Sequence, residues 1–304
     1  MTFFKRIFLF VAINLLVITM VSVILSIFDI QPYLTQAGLD YSSLFAFCLV
    51  WGVVGSFISL ALSRVMAKWM MGIQIIDVNT QNPDYRQLLV IAERLSLKAN
   101  LPTVPQVGVY QSNELNAFAT GPSKKRALVA VSSGLLQRMH PSELEAIIGH
   151  ELSHIANGDM VTMTLIQGII NAFVMFLARA LAFALSGMGR NNQRGRGSSH
   201  MSYFLLVMLF QSVFMLLGSL VTCAFSRFQE YRADLGGAEL TGKDQMIAAL
   251  QTLRVMHEIR DPQKEQTALA AFKISGIRKN GFLSLFATHP SIEDRIQNLQ
   301  QSRF

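Results

Sequence analysis

Four long apolar runs divide the chain into membrane and polar parts. They extend over Ile7–Phe28, Ser43–Leu62, Met160–Leu185 and Tyr203–Phe225. Each is close to or longer than the roughly 20 residues that a helix needs to cross a bilayer. The pattern therefore predicts four transmembrane helices. The third run is the most polar, because it contains Gln167, Asn171 and Arg179, and such side chains must face protein or reach toward the membrane surface.

The predicted helices pair into two hairpins, and each hairpin is followed by a polar segment. Residues 1–63 contain the first hairpin and residues 160–225 the second. The polar segments, residues 64–159 and 226–304, carry enough charged side chains to be exposed to water. An even number of crossings separates them, so they lie on the same side of the membrane. We expect them to form the two parts of one soluble domain.

The charges around the first two runs predict that this side is the cytoplasm. Lys5, Arg6, Arg64 and Lys68 flank the runs on one side, whereas the loop of residues 29–42 contains only acidic charges. Basic residues are enriched on the cytoplasmic side of membrane helices. The loop of residues 186–202 contains only basic charges and opposes this layout. An alternative is therefore a second hairpin that does not span fully, although either geometry returns the chain to the same face.

Short apolar stretches in the first polar segment predict a small β-sheet. Residues 105–110, 115–119 and 127–132 are expected to be strands, with a turn over residues 121–126. A helix is expected over residues 84–99, before them. The predicted fold is thus a mainly α polytopic membrane protein with an α+β soluble domain.

Composition agrees with this architecture and indicates a lipid bilayer, rather than nucleic acid, as a binding partner. The chain is 51% hydrophobic and 15% charged, as in a membrane protein with an attached soluble part. The net charge of +7 suits cytoplasmic parts that face the lipid bilayer with its anionic headgroups. No aromatic residues are interleaved with the basic turn Lys124–Arg126, so no nucleic-acid partner is expected. Cys48 and Cys223 lie in predicted spans and are not expected to bind zinc, and the polar segments have no thiols with which to form disulfides.

The candidate chemistry is concentrated in a His-Glu-x-x-His pattern at His150, Glu151 and His154. Pro141 and the helical spacing of the apolar residues place this pattern on a buried amphipathic helix, which ends near Asn157–Asp159. Two histidines four residues apart project from one helix face and can bind one zinc ion, with the intervening glutamate free to act as a base.

A third ligand is expected directly after the fourth apolar run. Catalytic zinc in peptidases is commonly held by two histidines and one carboxylate. Glu230 returns to the same side of the membrane as His150 and His154, which makes it the natural candidate. Asp234 follows one helical turn later and could accept a hydrogen bond from a ligating imidazole.

Four stretches of the sequence resemble the HtpX family of bacterial membrane-bound zinc metalloproteases, relatives of the CAAX prenyl endopeptidases. They are HELSHIANGDMVTMTLIQG from His150, ELNAFATG from Glu114, EYRAD from Glu230 and THPSIEDRI from Thr288. The resemblance covers nearly the whole chain. It departs from the family at Arg232, where HtpX proteins carry a histidine.

The resemblance implies a quality-control endopeptidase of the gluzincin type in the bacterial inner membrane, with a zincin-like domain and its active site in the cytoplasm. One zinc ion per chain is held by His150, His154 and Glu230, and Glu151 is the catalytic base. Membrane proteins are the implied substrates, and the solubilised protein is expected to cleave itself.

The resemblance also indicates His289 and Arg295 as donors to the tetrahedral oxyanion. Alternatively, His289 caps or packs a helix that starts near Pro290, and Arg295 pairs with Glu293 or Asp294. An extended substrate is expected along an exposed edge strand formed by Asn116, Ala117, Phe118 and Ala119. The alternative for this strand is an interior position beneath the helix of residues 84–99.

Two other functions compete with this endopeptidase. An intramembrane site-2-type protease fits poorly, because such enzymes carry the histidine motif within an apolar span, whereas here the motif precedes the span. A non-catalytic scaffold or substrate-holding protein with a structural zinc is disfavoured by Glu151, since a structural site has no use for a base beside its ligands.

Overall fold

The computed structural model describes residues 38–186, 196–260 and 282–302, together with residues 19, 23, 27, 34 and 35. The first predicted span, Ile7–Phe28, lies outside this range except for residues 19, 23 and 27, whose backbone is helical. Most of the basic loop of residues 186–202 also lies outside it. Two residue pairs, Leu34–Thr35 (β1) and Gly38–Leu39 (β2), form a small antiparallel ribbon.

The described chain is mostly helical, and three of its helices are long and apolar enough to cross a membrane. The first extends over Tyr41–Met71 and consists of α1 (Tyr41–Leu49), a π-helical turn (Val50–Val54) and α2 (Gly55–Met71). The second is α6 (Asp159–Ser186) and the third belongs to α7 (Arg196–Thr241). They contain the second, third and fourth predicted spans. The fourth apolar run ends at Phe225, but α7 continues for four more turns beyond it.

The chain forms two compact units. The first comprises Met1–Leu60 with Thr162–Thr222, and the second comprises Ala61–Val161 with Cys223–Phe304. In the first unit, the polar residues of α6 find partners within the protein. The Gln167 amide donates to Asn171 at 2.9 Å, and the Arg179 guanidinium lies 5.7 Å from the centre of the Phe47 ring.

Close helix contact in the first unit depends on glycine. A Cβ atom at Gly52 would lie 2.5 Å from the carbonyl oxygen of Gly168 and 2.6 Å from the Ala172 nitrogen. The backbones of the π-helical turn and of α6 can therefore touch only because Gly52 has no side chain.

The second unit is an α+β domain around a four-stranded mixed sheet. Its strands are β3 (Gln74–Ile75), β4 (Gln106–Tyr110), β5 (Ala117–Thr120) and β6 (Leu128–Ser132), in the order β3-β4-β6-β5. β4 and β6 are parallel, and the outer pairs are antiparallel. The three predicted strands are present. β3 was not predicted, because a strand of only two residues gives no recognisable pattern in the sequence.

Helices cover one face of this sheet and bury the main core. They are α3 (Pro83–Lys98), α4 (Ser133–Arg138), α5 (Pro141–Asn157), α8 (Lys243–Arg260) and α9 (Ile292–Gln301). Asn82 caps α3, and its side chain accepts from the Asp84 backbone at 2.9 Å. α5 lies at the centre, in contact with α3, α8, β5 and β6. The core includes Leu88, Val129, Ile148 and Leu250.

Candidate metal centre

The local sequence of α5 fixes the positions of both histidines of the motif. Pro141 occupies the first turn, and the Glu143 carboxylate accepts from the His140 backbone N–H at 3.1 Å. The helix ends at Gly158, whose φ of +73° is a left-handed conformation that glycine adopts readily. Between these ends α5 is regular, so His150 and His154 lie one turn apart on the same face.

The structure brings the three predicted ligands together. The Nε2 atoms of His150 and His154 are 3.1 Å apart. Glu230 Oε2 lies 3.7 Å from Nε2 of His150, and Glu230 Oε1 lies 3.4 Å from Nε2 of His154. His150 and Glu230 are 6% and 5% exposed. Three donor atoms from two helices thus converge in a largely buried position.

The geometry and charge of this position fit a zinc ion. Zinc bonds of about 2.0–2.1 Å place tetrahedral donors roughly 3.3 Å apart, close to the observed separations. Four buried carboxylates and two arginines surround the position and leave two negative charges, which a divalent cation would balance. These residues are Glu151, Asp159, Glu230, Asp234, Arg232 and Arg295.

Each histidine is oriented by a carboxylate behind it. The Nδ1 atom of His150 lies 3.0 Å from Asp234 Oδ1, as the sequence predicts for a supporting carboxylate. The Nδ1 atom of His154 lies 2.7 Å from Asp159 Oδ2. A carboxylate on Nδ1 fixes the ring and leaves Nε2 free to bind metal. Asp159 is bonded in turn by the guanidinium of Arg232.

The carboxylates determine the charge of His154 in the metal-free chain. Burial disfavours the charged imidazole, but hydrogen bonds to Asp159 and Glu230 outweigh it and raise the pKa of His154 to about 10. A hydrogen bond to Glu230 likewise raises the pKa of His289 above its usual range. In the metal-free protein the proton on His154 therefore balances part of the negative charge that a zinc ion would otherwise balance.

Arg295 contacts the residues of the metal centre and does not form an ion pair with the acids that neighbour it on α9. Its guanidinium forms a bidentate pair with Asp234 at 2.6 and 2.7 Å and lies 3.3 Å from Glu230. The alternative in which Arg295 pairs with Glu293 or Asp294 is therefore wrong. The two neighbouring acids point elsewhere because successive helix positions differ by 100° in direction.

His289 lies at the open side of the same cluster. Its Nδ1 atom is 2.9 Å from Glu230 Oε2, and its side chain is 65% exposed. It does not cap α9, because the Ser291 hydroxyl accepts from the Asp294 backbone N–H at 3.1 Å and provides the cap. Polar contact with the ligand carboxylate and access to solvent leave the ring able to meet a bound molecule.

Glycines allow α5 and α7 to approach closely enough for the ligands to meet. A Cβ at Gly237 would lie 3.1 Å from the backbone nitrogen of His150, and one at Gly149 would lie 3.5 Å from the carbonyl oxygen of Gly237. A Cβ at Gly236 would lie 2.1 Å from the Ser153 hydroxyl. The backbone of α5 thus packs directly on α7, the helix that carries Glu230.

The remaining predicted residues lie beside this cluster. Glu151 is 9% exposed and follows His150 on α5. Ala117, Phe118 and Ala119 belong to β5, which is an outer strand and pairs with β6. Asn116 precedes the strand, and its carbonyl accepts from the Ser132 backbone at 2.9 Å. β5 also contacts α5, so among the described residues an outer strand edge lies next to the helix that carries His150 and His154, whereas α3 packs on β4 and α5.

The sequence reasoning missed the residues that support the centre. The sequence indicates Asp159 only as part of a helix end, and Arg232 only as a departure from a family pattern. It gives no role to Arg227, yet the Arg227 guanidinium donates to the carbonyls of Leu285 and Ala287, both at 2.8 Å. An acid five residues after His154 is a usable signal for Asp159. No local signal links Arg227 to a segment about 60 residues away.

Comparisons with known proteins agree with the geometry. The profile of Peptidase family M48 matches residues 83–303. The chain is 46% identical to "Protease HtpX homolog" of Bacillus subtilis (strain 168), covering 97% of this chain and 99% of that protein. It is 44% identical to "Protease HtpX" of Cellvibrio japonicus (strain Ueda107), with 98% of each chain covered.

A solved structure, "Crystal Structure of S. mikatae Ste24p", shares the fold with a TM-score of 0.65 at 15% identity. The match covers 97% of this chain and 64% of that one. The family profile and the high identity over almost the full length establish the relationship. This chain belongs to Peptidase family M48 and is an HtpX-family zinc metalloprotease of the membrane.

Proposed function

We propose that this protein is a zinc-dependent endopeptidase that cleaves damaged or misfolded membrane proteins in the bacterial inner membrane. The observation that carries the proposal is the convergence of His150, His154 and Glu230, with Glu151 on the same helix as the two histidines. A site with three protein donors leaves a fourth position for water or substrate, which distinguishes catalytic from structural zinc.

The chemistry requires a Lewis acid and a base. A zinc ion held by the two imidazoles and Glu230 supplies the Lewis acid that activates water and polarises a peptide carbonyl. Glu151 accepts the proton from the attacking water and passes it to the leaving amine.

His289 and Arg295 are proposed to assist at the oxyanion. Both contact Glu230, so both lie at the edge of the metal position. Arg295 is positively charged, and the contact with Glu230 raises the pKa of His289, which favours its charged form. A developing negative charge on the substrate oxygen would be stabilised by these donors. Arg295 also holds Asp234, which links its position to the orientation of His150.

The substrate is proposed to bind as an extended strand along Asn116–Ala119. The side chains of Ala117 and Ala119 are small and pack toward the core, so a second backbone could approach the outer edge of β5. Main-chain pairing of this kind tolerates many sequences, which suits an enzyme that degrades varied membrane proteins. Self-cleavage in detergent follows from the same tolerance.

We propose four spans, with residues 1–63 and 160–225 as hairpins and residues 64–159 and 226–304 as the two parts of the catalytic domain. The positive charges flanking the first two runs support a cytoplasmic active site. One zinc ion per chain is expected from the single cluster of donors found in the described residues.

The proposal is tested with Glu151→Gln in the full chain, purified in detergent with a zinc chelator present from lysis to prevent self-cleavage. After zinc is restored, the wild type should cleave a membrane-protein substrate, and chelation should stop it. Glu151→Gln should bind one zinc ion and lose at least about two orders of magnitude in kcat. Glu145→Gln, on the same helix and paired with Arg94 at the surface, is the matched control and should retain activity.

The same experiment separates the alternative. Cleavage by Glu151→Gln at the native rate would exclude the proposed base. A wild-type protein that binds zinc and substrate but never cleaves would instead support the scaffold or substrate-holding function. His289→Phe adds a second test: kcat should fall while zinc content stays near one per chain, whereas loss of zinc would mean that the ring is needed for the metal centre itself.

A further inference from the structure

One end of the sheet carries a cluster of five basic side chains, which we call the basic sheet end. Arg64 and Lys68 lie on α2, and Lys124, Lys125 and Arg126 form a short 3-10 turn before β6. The three residues of the turn are exposed. None of the five is in an ion pair within the described chain, whereas Arg94, Arg232, Arg254 and Arg295 all are.

Direct contacts join the two parts of the basic sheet end. The Lys68 ammonium donates to the Gln106 side chain at 2.9 Å, and the Gln106 backbone N–H donates to the Ala127 carbonyl at 3.1 Å. Ala127 follows the basic turn immediately. The Thr103 hydroxyl donates to the Lys125 carbonyl at 3.2 Å. The charges of α2 and of the turn thus lie on one continuous surface.

The same contacts place this surface at the ends of two candidate membrane helices. Lys68 lies on the last turns of the helix Tyr41–Met71, and the Lys124 ammonium donates to the Ala156 carbonyl at 2.5 Å. Ala156 lies three residues before α6 begins at Asp159. A chain that enters and leaves the bilayer at these points holds the surface between them at the depth of the lipid headgroups.

Exposed apolar side chains accompany the charges. Trp69 and Met70 are each 48% exposed and directly follow Lys68. Val104, next to the Thr103 that contacts the turn, is 47% exposed. Tryptophan prefers the membrane interface, and basic residues at this depth are attracted to anionic headgroups. The combination suits a partner with a phosphate group above hydrocarbon, which is a phospholipid rather than a nucleic acid.

We propose that the basic sheet end is a binding surface for anionic phospholipid headgroups. It neutralises the phosphates of lipids packed around the ends of α2 and α6. The inference does not depend on proteolysis, and it is distinct from the metal centre because it uses none of the residues placed there.

The test compares lipid selectivity of the full chain and of Lys125→Gln/Arg126→Gln. Neither side chain makes a hydrogen bond within the described chain, so the double variant should fold normally. Each protein is reconstituted in phosphatidylcholine vesicles that contain a trace of spin-labelled phosphatidylglycerol or spin-labelled phosphatidylcholine. Electron paramagnetic resonance then gives the fraction of each lipid that is immobilised at the protein.

The wild type should prefer phosphatidylglycerol, and the preference should fall with salt. Each removed cation should lower it by up to about fivefold, as expected for a basic residue near an anionic surface. The matched control is Arg86→Gln/Arg138→Gln, which removes the same charge near the N-terminus of α5. That end of the helix lies about 22 Å from Ala156, so the control should keep the wild-type preference.

Two outcomes would overturn the proposal. The first is an unchanged preference for phosphatidylglycerol in Lys125→Gln/Arg126→Gln with wild-type circular dichroism. The second is an equal loss in the control pair, which would mean that only net charge matters. If the double variant proves misfolded, Lys125→Gln alone is measured, and the same two outcomes apply to it.

Discussion

Replacement of Asp159 by asparagine should weaken zinc binding without touching a ligand. Asp159 is 4% exposed, with one carboxylate oxygen 2.7 Å from Nδ1 of His154 and the other bonded by Arg232. Asparagine has nearly the same size, so the packing is preserved. It has no negative charge and only one acceptor oxygen. It can therefore orient His154 or accept from Arg232, but it cannot do both.

The magnitude follows from where each partner lies. Loss of a carboxylate behind a ligating histidine typically costs 10- to 100-fold in metal affinity, or about 1.4–2.7 kcal/mol. Arg232 is 41% exposed, so water can solvate its guanidinium after the substitution. The lost ion pair with Arg232 therefore adds little to the loss of zinc affinity. We therefore expect the zinc dissociation constant of Asp159→Asn to rise 10- to 100-fold.

The measurement is a competition titration of metal-free full-length protein against a chromophoric zinc chelator, at one fixed pH. Asp84→Asn is the matched control, because Asp84 is an exposed carboxylate at the start of α3 and far in sequence from the cluster. It should bind zinc like the wild type. Circular dichroism of the metal-free proteins shows whether Asp159→Asn has also lost structure.

A double-mutant cycle tests whether Arg232 acts through Asp159. Arg232→Met should weaken zinc binding less than Asp159→Asn does, and the double variant should bind no more weakly than Asp159→Asn alone. Fully additive losses would show that Arg232 acts on the metal by another route. Wild-type affinity in Asp159→Asn would refute the reasoning altogether, because the contact with His154 would then have no effect on the ligand.

Three further predictions concern the same centre. Gly237→Ala should weaken zinc binding about tenfold, because its Cβ would press on the His150 backbone at 3.1 Å; Gly55→Ala, which meets nothing within 4 Å, is the control in the same titration. Arg227→Met should lower kcat roughly tenfold with unchanged zinc content, because it frees the carbonyls of residues 285 and 287 that precede His289. Zinc affinity should rise about tenfold per pH unit below pH 10, because binding must displace the proton that His154 holds with its pKa of about 10; a pH-independent dissociation constant would contradict this.

Local spacing is what made much of this molecule predictable. The positions of His150, Glu151 and His154 follow from 3.6 residues per turn, and the ends of α5 follow from Pro141 and Gly158. Hydrophobic run length was enough to locate the three described helices that are long and apolar enough to cross a membrane. Three of the four strands of the sheet were recognisable by their apolar residues and by the turn between two of them. In each case the signal lies within one element.

Contacts between distant elements were harder to predict. Arg295 has Glu293 and Asp294 as sequence neighbours but pairs with Asp234, 61 residues away. His154 is supported by Asp159 only because the chain turns at Gly158 before the next helix begins. A pattern of residue types contains neither the direction of that turn nor the packing of α5 on α7. Asp234 was the exception, because its one-turn spacing from Glu230 is itself local.

The continuity of α7 explains how a site built from distant elements can be held in register. Cys223 and Arg227 hold the carbonyls of residues 285–287, Glu230 reaches the histidines, and Asp234 meets both His150 and Arg295. These residues recur every three or four positions, so one face of a single helix presents them in sequence. A rigid helix transmits any rotation to all of them at once. Glu230, Asp234 and the segment that carries His289 are therefore expected to move as one unit. Gly236 and Gly237 let this face of α7 pack directly against the backbone of α5, which carries the other two ligands.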